Sequence, residues 1–516
     1  SESLLPELYR ESEEGFCLGE MNYKAVLVPP VVTIRRDTLR ALSKFVAHGG
    51  KLVVCEECPK TVDGVPCGDA QTLWKQAERV NFSQSEILNA LKFVREVAIY
   101  SQNGNLRKDL FYQLRRDGEN EWLFIAHCDM ASRLEGNDCA FDRLRIEVKG
   151  IFGATLYDTL HGTHAKAEFY HENGNTVIIA PCYPLDSFLY LLTAGEEETV
   201  AANETEKVHT FAVNVDVPDF VSFTHSEPNV MVLDMAEWSR NGKDFMPREE
   251  MLRIDMCVRQ ELHYPIANGA DVQPWRLPAQ KPTQSVWLRF FVQSETEAQC
   301  SLGYEYAEEV SLNGERVSVC PNGYFVDKAI HTMPLPPLKR GENELIVRVP
   351  ISERVSLENL FLIGEFGVRT VGAFAKITPP VEKITFDSFQ KQDFPFYGAN
   401  ITYVIPFSCE AGDLTVTADY YIGALIGVKL DGKEVGKIVL PPYELTVDGV
   451  TAGKHVLELT LYGTRINTFG ALHLTTPMHW KSPDMWYTGN NMWSYEYNLQ
   501  DMGILKKPVL TLKKRN

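Results

Sequence analysis

The chain has 516 residues, 44% of them hydrophobic and 11% aromatic, which excludes a disordered protein and predicts roughly three or four domains. Its formal net charge of −18 argues against a nucleic-acid partner, which would want a basic face. No apolar run approaches the roughly 20 residues of a membrane helix, and Ser1-Glu2-Ser3 opens without a secretory signal, so no membrane partner and a cytoplasmic location are expected.

Residues 1–103 read as α/β. Tyr23 to Pro30 contains a continuous apolar run, the form of a buried parallel strand. Thr33 stands where it can cap a helix whose Leu39, Leu42, Phe45 and Val46 share one face, and Gly49-Gly50 ends it. Lys51 to Cys55 is the next buried strand. One such unit is less than a doubly wound, flavodoxin-like domain. It is therefore read as truncated, completed by strands before residue 1 or by a catalytic domain or partner chain. That reading predicts an exposed apolar edge near Val26 and Val53. Pro29-Pro30 occupies the place of a phosphate loop, which argues against nucleotide binding.

The 11 cysteines are scattered and odd in number, as free thiols in a reducing compartment are. Cys55-Glu-Glu-Cys58 with Cys67 lacks a second CxxC or paired histidines, so it reads as ordinary thiols. His161-Gly-Thr-His164 lacks a visible third ligand. No metal and no cofactor are expected.

Residues 104–200 change to short strands with Gly and Asn turns, the pattern of a small β-sandwich. Leu110 to Ala126 reads as a hairpin turning at Asp117-Gly118. Strands are expected over 143–148, 153–158, 167–170 and 176–180. Glu196 to Lys207 is polar and reads as a linker.

Residues 208–372 and 380–516 carry two copies of one pattern. Val310-Ser-Leu312-Asn313-Gly314-Glu-Arg-Val317 matches Val428-Lys-Leu430-Asp431-Gly432-Lys-Glu-Val435. In both, an alternating run meets Asn-Gly or Asp-Gly, a strong hairpin signal. A second strand follows each, from Gly341 and from Gly453. The C-terminal copy ends in an aromatic tail with Trp480, Trp486 and Trp493.

Several passages resemble the region after the catalytic barrel in large bacterial glycoside hydrolases of the α-L-rhamnosidase-like type, with galactose-binding-like sandwich domains. They are Tyr23 to Pro30 with its helix and Gly49-Gly50, Gln273-Pro-Trp275, Val310 to Val317 and Gly364-Glu-Phe-Gly-Val368. Phe394-Pro-Phe-Tyr-Gly398, Pro441-Pro-Tyr443, and Thr464-Arg-Ile-Asn467 with Gly470 and His473 complete the set. The resemblance implies a mainly β, multidomain chain: a truncated α/β unit, then β-sandwiches, two of them galactose-binding-like jelly rolls. It further implies the accessory C-terminal half of a glycoside hydrolase, with carbohydrate as partner. The chain has no room for the eight strand–helix pairs of a barrel, so no catalytic residue is carried over.

Sugar binding needs an aromatic platform for the apolar ring face and polar groups for the hydroxyl rim. Trp486, Tyr487 and Trp493, near Asp484, Asn490 and Asn491, supply both, and so do Trp275 and Gln273. The competing reading is that these aromatics fasten the tail to a sandwich. Glu305 and Glu365, beside aromatics, are read as ordinary carboxylates, and Tyr397, Arg465 and Asn467 as packing and turn residues. A stand-alone, non-catalytic lectin-like protein is the alternative to the accessory half. An independent enzyme with a site between the sandwiches is the third reading.

Overall fold

The computed structural model describes residues 2–128, 141–160, 162–195, 212–266, 281–476 and 488–514. The protein is mainly β and multidomain, built of β-sandwiches after a short α/β segment. It divides into two compact units, one ending at Asn203 and one running from Glu204 to Asn516 apart from short exchanged segments. Among the described residues no helix is long and apolar enough to cross a membrane.

In the first unit, Ala25–Val28 and Glu78–Val80 flank Lys51–Cys55 in a parallel three-stranded sheet. Helix Arg36–Ala47 packs Leu39, Leu42 and Phe45 into the same core as Leu52, Val54 and Trp74. Two expectations are corrected here. Thr33 does not cap the helix: the N-cap is Arg35, and the free Arg36 amide donates instead to Asp63 Oδ1 at 3.1 Å. Val53 is no exposed edge, because its strand is central and the residue is fully buried, whereas Val26 lies half-buried on the edge strand of the same sheet.

The small sandwich follows as a four-stranded and a five-stranded antiparallel sheet. Leu110–Asp117 pairs with Asn120–His127 through the two-residue turn Gly118-Glu119, one residue beyond the expected position, with Gly118 at φ 63°. Leu123, Ile125, Leu144, Ile146, Phe169, Ile178 and Leu192 alternate inward and form its core. Here His164 stacks on Tyr157 at 5.3 Å, while His161 lies outside the described residues.

The second unit holds the two copies. In the first sandwich, Glu309–Leu312 and Glu315–Val317 form a hairpin, and Val310 and Leu312 sit opposite Val347 and Leu345 of the long strand Gly341–Ile351. In the second, Ile426–Leu430 and Lys433–Ile438 do the same, with Val428 and Leu430 opposite Leu459 and Leu457 of Gly453–Leu461. Both turns hold two residues at positive φ: Asn313 at 52° with Gly314 at 81°, and Asp431 at 51° with Gly432 at 77°. That is the I′ geometry that suits the twist of paired strands.

The copies are nested rather than consecutive. Ala212–Val215 pairs with Val509–Lys513, and Phe220–His225 pairs with Ile401–Cys409, so these early strands belong to the second sandwich. The chain then builds the first sandwich from Asn229 to Thr378 and returns at Ile384–Thr385, beside Phe220–His225. The expected boundary at 208 places 212–225 in the first sandwich, and the pairing moves them to the second. Local pattern cannot see a strand whose partner lies nearly three hundred residues away. In the reverse sense, Phe469, Leu472, Tyr497 and Leu499 of the C-terminal stretch pack on the core of the first sandwich.

Candidate functional site

Asp234 is the single residue between strand Asn229–Leu233 of one sheet and Met235–Ser239 of the other. There the chain crosses between layers, and the carboxylate is left buried. A buried carboxylate must be hydrogen-bonded. Tyr497 Oη donates to Oδ1 at 2.7 Å, and His473 Nε2 lies 3.0 Å from Oδ2. The other ring nitrogen, Nδ1, faces the Glu496 carbonyl at 3.2 Å. Both ring nitrogens face acceptors, an arrangement that favours the doubly protonated imidazolium. Burial opposes that charge. The hydrogen bond to Asp234 and its negative charge outweigh it, and the pKa is raised.

Glu250 ends strand Met246–Glu250 and caps helix Met251–Leu262, its Oε2 accepting the Arg253 amide at 3.1 Å. Burial pushes its carboxyl up to about 7, and the neighbouring charge of Asp234 adds to the push. Within the same helix, Arg259 donates to Asp255 Oδ2 at 2.7 Å, and both side chains are almost wholly buried. The Arg259 guanidinium also reaches the carbonyls of Glu353 and Val355, and Asp255 Oδ1 accepts the Leu357 amide at 2.9 Å. This fastened loop presents Glu358 and Asn359.

These groups meet at a cavity of about 260 Å³. Asp234, Glu250, Glu305, Glu358, His473 and Trp493 contribute to its lining, with apolar walls from Phe361 and Phe469. Crowding by surrounding protein pushes Glu358 up to about 7, with Glu305 and Asp255 adding repulsion. Its residue surface is nevertheless open, so water in the cavity moderates that push. Glu305 is raised by burial and then by Asp327. Trp493 is held by the Arg253 guanidinium, 4.6 Å from its ring centroid, and packs on Tyr495 at 4.7 Å. Arg253 in turn donates to the Thr488 carbonyl at 2.8 Å and pairs with Glu249 at 3.0 Å.

Of the residues the sequence nominated for sugar, Trp493 lies in this cavity. Trp486, Tyr487, Trp275 and Gln273 lie outside the described residues, as does Asp484. Asn491 is exposed, and its carbonyl accepts Thr475 Oγ1 at 2.7 Å. Glu305 is in the cavity, whereas Glu365 pairs with His225 at 3.2 Å elsewhere. Tyr397 is buried, with its hydroxyl on the Asn400 carbonyl at 3.0 Å. Arg465 pairs with Glu227, and Asn467 brackets Gln500 through two hydrogen bonds. Sequence reasoning missed Asp234, Glu250 and Glu358 and gave His473 no chemical role. The only available signal was Glu250, an acid directly before an amphipathic helix.

No protein-family model matches the chain, and no curated protein sequence matches it. Among solved structures it is similar to a rhamnosidase from Novosphingobium sp. PP1Y, with 11% identity and a TM-score of 0.45, over 98% of this chain and 35% of that one. An exo-carrageenase GH42 from Bacteroides ovatus shows 13% identity and a TM-score of 0.24, over 35% of this chain and 25% of that one. A GH2 beta-galacturonidase from Eisenbergiella tayi shows 10% identity and a TM-score of 0.18, over 47% and 37%. All three neighbours are glycoside hydrolases. The chain thus spans about a third of the rhamnosidase's length.

Proposed function

We propose that this chain is an accessory, carbohydrate-binding region of a glycoside hydrolase, and that the cavity at Trp493 holds a sugar residue. In this reading the two nested sandwiches are galactose-binding-like, and a catalytic domain lies elsewhere. The supporting observation is the composition of the cavity. It joins an aromatic side chain held in place by Arg253 to a rim of carboxyls that can accept or donate hydrogen bonds. A pyranose offers an apolar ring face to the first and hydroxyls to the second. The test is calorimetric titration of neutral mono- and oligosaccharides into the wild type and Trp493→Ala. Saturable binding that the variant loses supports the reading, and identical isotherms from both proteins remove it.

One observation favours a second reading, an independent enzyme. Burial pushes the carboxyls of Glu250 and Glu358, which line one cavity, up to about 7, with water moderating the push on Glu358, and groups so placed are suited to general acid–base work. Release of nitrophenol from nitrophenyl glycosides by the isolated chain, lost in Glu358→Gln, would establish it.

A further inference from the structure

The cavity's charge is one-sided. Aspartate and glutamate line it at four positions, Asp234, Glu250, Glu305 and Glu358, and among the described residues its lining contains no lysine or arginine. The imidazole of His473 is already committed to Asp234 and the Glu496 carbonyl. Arg253 supports Trp493 and is engaged by Glu249 and the Thr488 carbonyl. Among the described residues of the lining, no basic side chain therefore neutralises Glu305 and Glu358. A uronate, sulfate or phosphate entering here would find no basic counter-charge among the described lining residues and would oppose ionisation of the carboxyls in a partly desolvated space. A ligand ammonium would meet complementary charge and, from Trp493, Phe361 and Phe469, the aromatic surface that attracts cations.

We propose that the cavity selects sugars bearing a free amino group and rejects acidic ones. This rests on the carbohydrate reading of the same site and narrows it to a substrate class. The ammonium would lie against Glu305 and Glu358, with the ring against the apolar wall. Ionising these carboxyls on binding makes each contact charge-assisted.

The experiment is titration of the full chain at neutral pH with glucosamine, glucose and glucuronic acid, which differ chiefly in charge. The expected order is glucosamine about tenfold or more tighter than glucose, as a charge-assisted hydrogen bond supplies, with glucuronic acid weakest. Glu358→Gln, at an open position, should shrink the ratio of glucosamine to glucose affinity to about threefold or less, whatever affinity for glucose the lost rim carboxyl removes. Equal affinity for glucosamine and glucose overturns the amine proposal and leaves the sugar reading standing. Binding of none of the three, or binding unaltered in Trp493→Ala, removes both. Calcium that binds stoichiometrically and displaces glucosamine would also overturn the proposal, by making the carboxyls a cation site. A thermal melt of each variant confirms that it is folded.

Discussion

The two sandwiches of the second unit share a hairpin, a register and a turn, yet they fill one equivalent spot with different chemistry. In the first, Asn313 Nδ2 donates to the buried Asn343 Oδ1 at 3.0 Å, and Asn313 Oδ1 accepts the Glu344 amide at 3.0 Å. In the second, Asp431 Oδ2 meets His455 Nδ1 at 2.7 Å, and Oδ1 accepts the Val456 amide at 2.9 Å. The backbone bond is the same, but a neutral amide pair has become an ion pair. The two also differ at their margins. The first alone carries helix Met251–Leu262 and the buried Asp255–Arg259 pair that anchors the cavity loop. One framework thus holds a stable hairpin with either chemistry, and its specialisation is added outside it.

The sharpest way to break the comparison is Arg259→Ala. It leaves Asp255 buried without its cation and should destabilise the first sandwich by about 3–5 kcal/mol. Urea unfolding followed by tryptophan fluorescence should show an early transition, and an unchanged curve would mean the helix is ornamental. Tyr497→Phe withdraws one donor from buried Asp234 and is expected to cost about 1–3 kcal/mol, read as a lower unfolding midpoint. Gly314→Ala and Gly432→Ala probe what the copies share. Each forces a Cβ into the left-handed region with open space around it, so about 1–2 kcal/mol should be lost in each, and about equally.

The smallest effect separates the copies by pH. The hydrogen bond to Asp431 raises the His455 pKa, so its contribution is complete below the unfolded value near 6.5 and disappears as pH rises through the folded value. The bond to His455 likewise holds Asp431 below its ordinary range, so that contribution is present above about 4 and is lost as pH falls further. The pair therefore stabilises most between about pH 4 and 6.5. Asp431 is half exposed, so the gain is about 1 kcal/mol or less. Installing the amide pair, Asp431→Asn with His455→Asn, should flatten the pH dependence of stability between pH 6 and 8, where the wild-type slope is measured against it.

The hairpins were legible because their information is local. Alternation at Val310 and Leu312, or Val428 and Leu430, fixes the buried face, and Asn-Gly or Asp-Gly fixes the turn. Trp493 was legible because tryptophans cluster in the tail. The carboxyls of the cavity were not. They come from a layer crossing at 234, a helix cap at 250 and loops at 305 and 358, and no spacing relates them. Thr33 was misread for a similar reason: Thr33–Ile34 pairs with Thr61–Val62, and the helix start is served by Asp63 from that distant turn.

Nesting also sets a schedule for synthesis. Phe220–His225 emerges from the ribosome long before its partner Ile401–Cys409, and meanwhile the interposed sandwich can collapse on its own core. Once folded, that insert shortens the loop the outer strands must close, which lowers the entropy cost of pairing them. Yet the insert finishes last where it matters. His473, Trp493 and Tyr497 arrive only with the last stretch of this unit, so the cavity first exists when translation of the unit is nearly complete. A nascent chain stalled before residue 473 should hold most of the first sandwich's strands but have no complete cavity for a ligand, which makes ligand capture a signal that this unit has been synthesised as far as Tyr497.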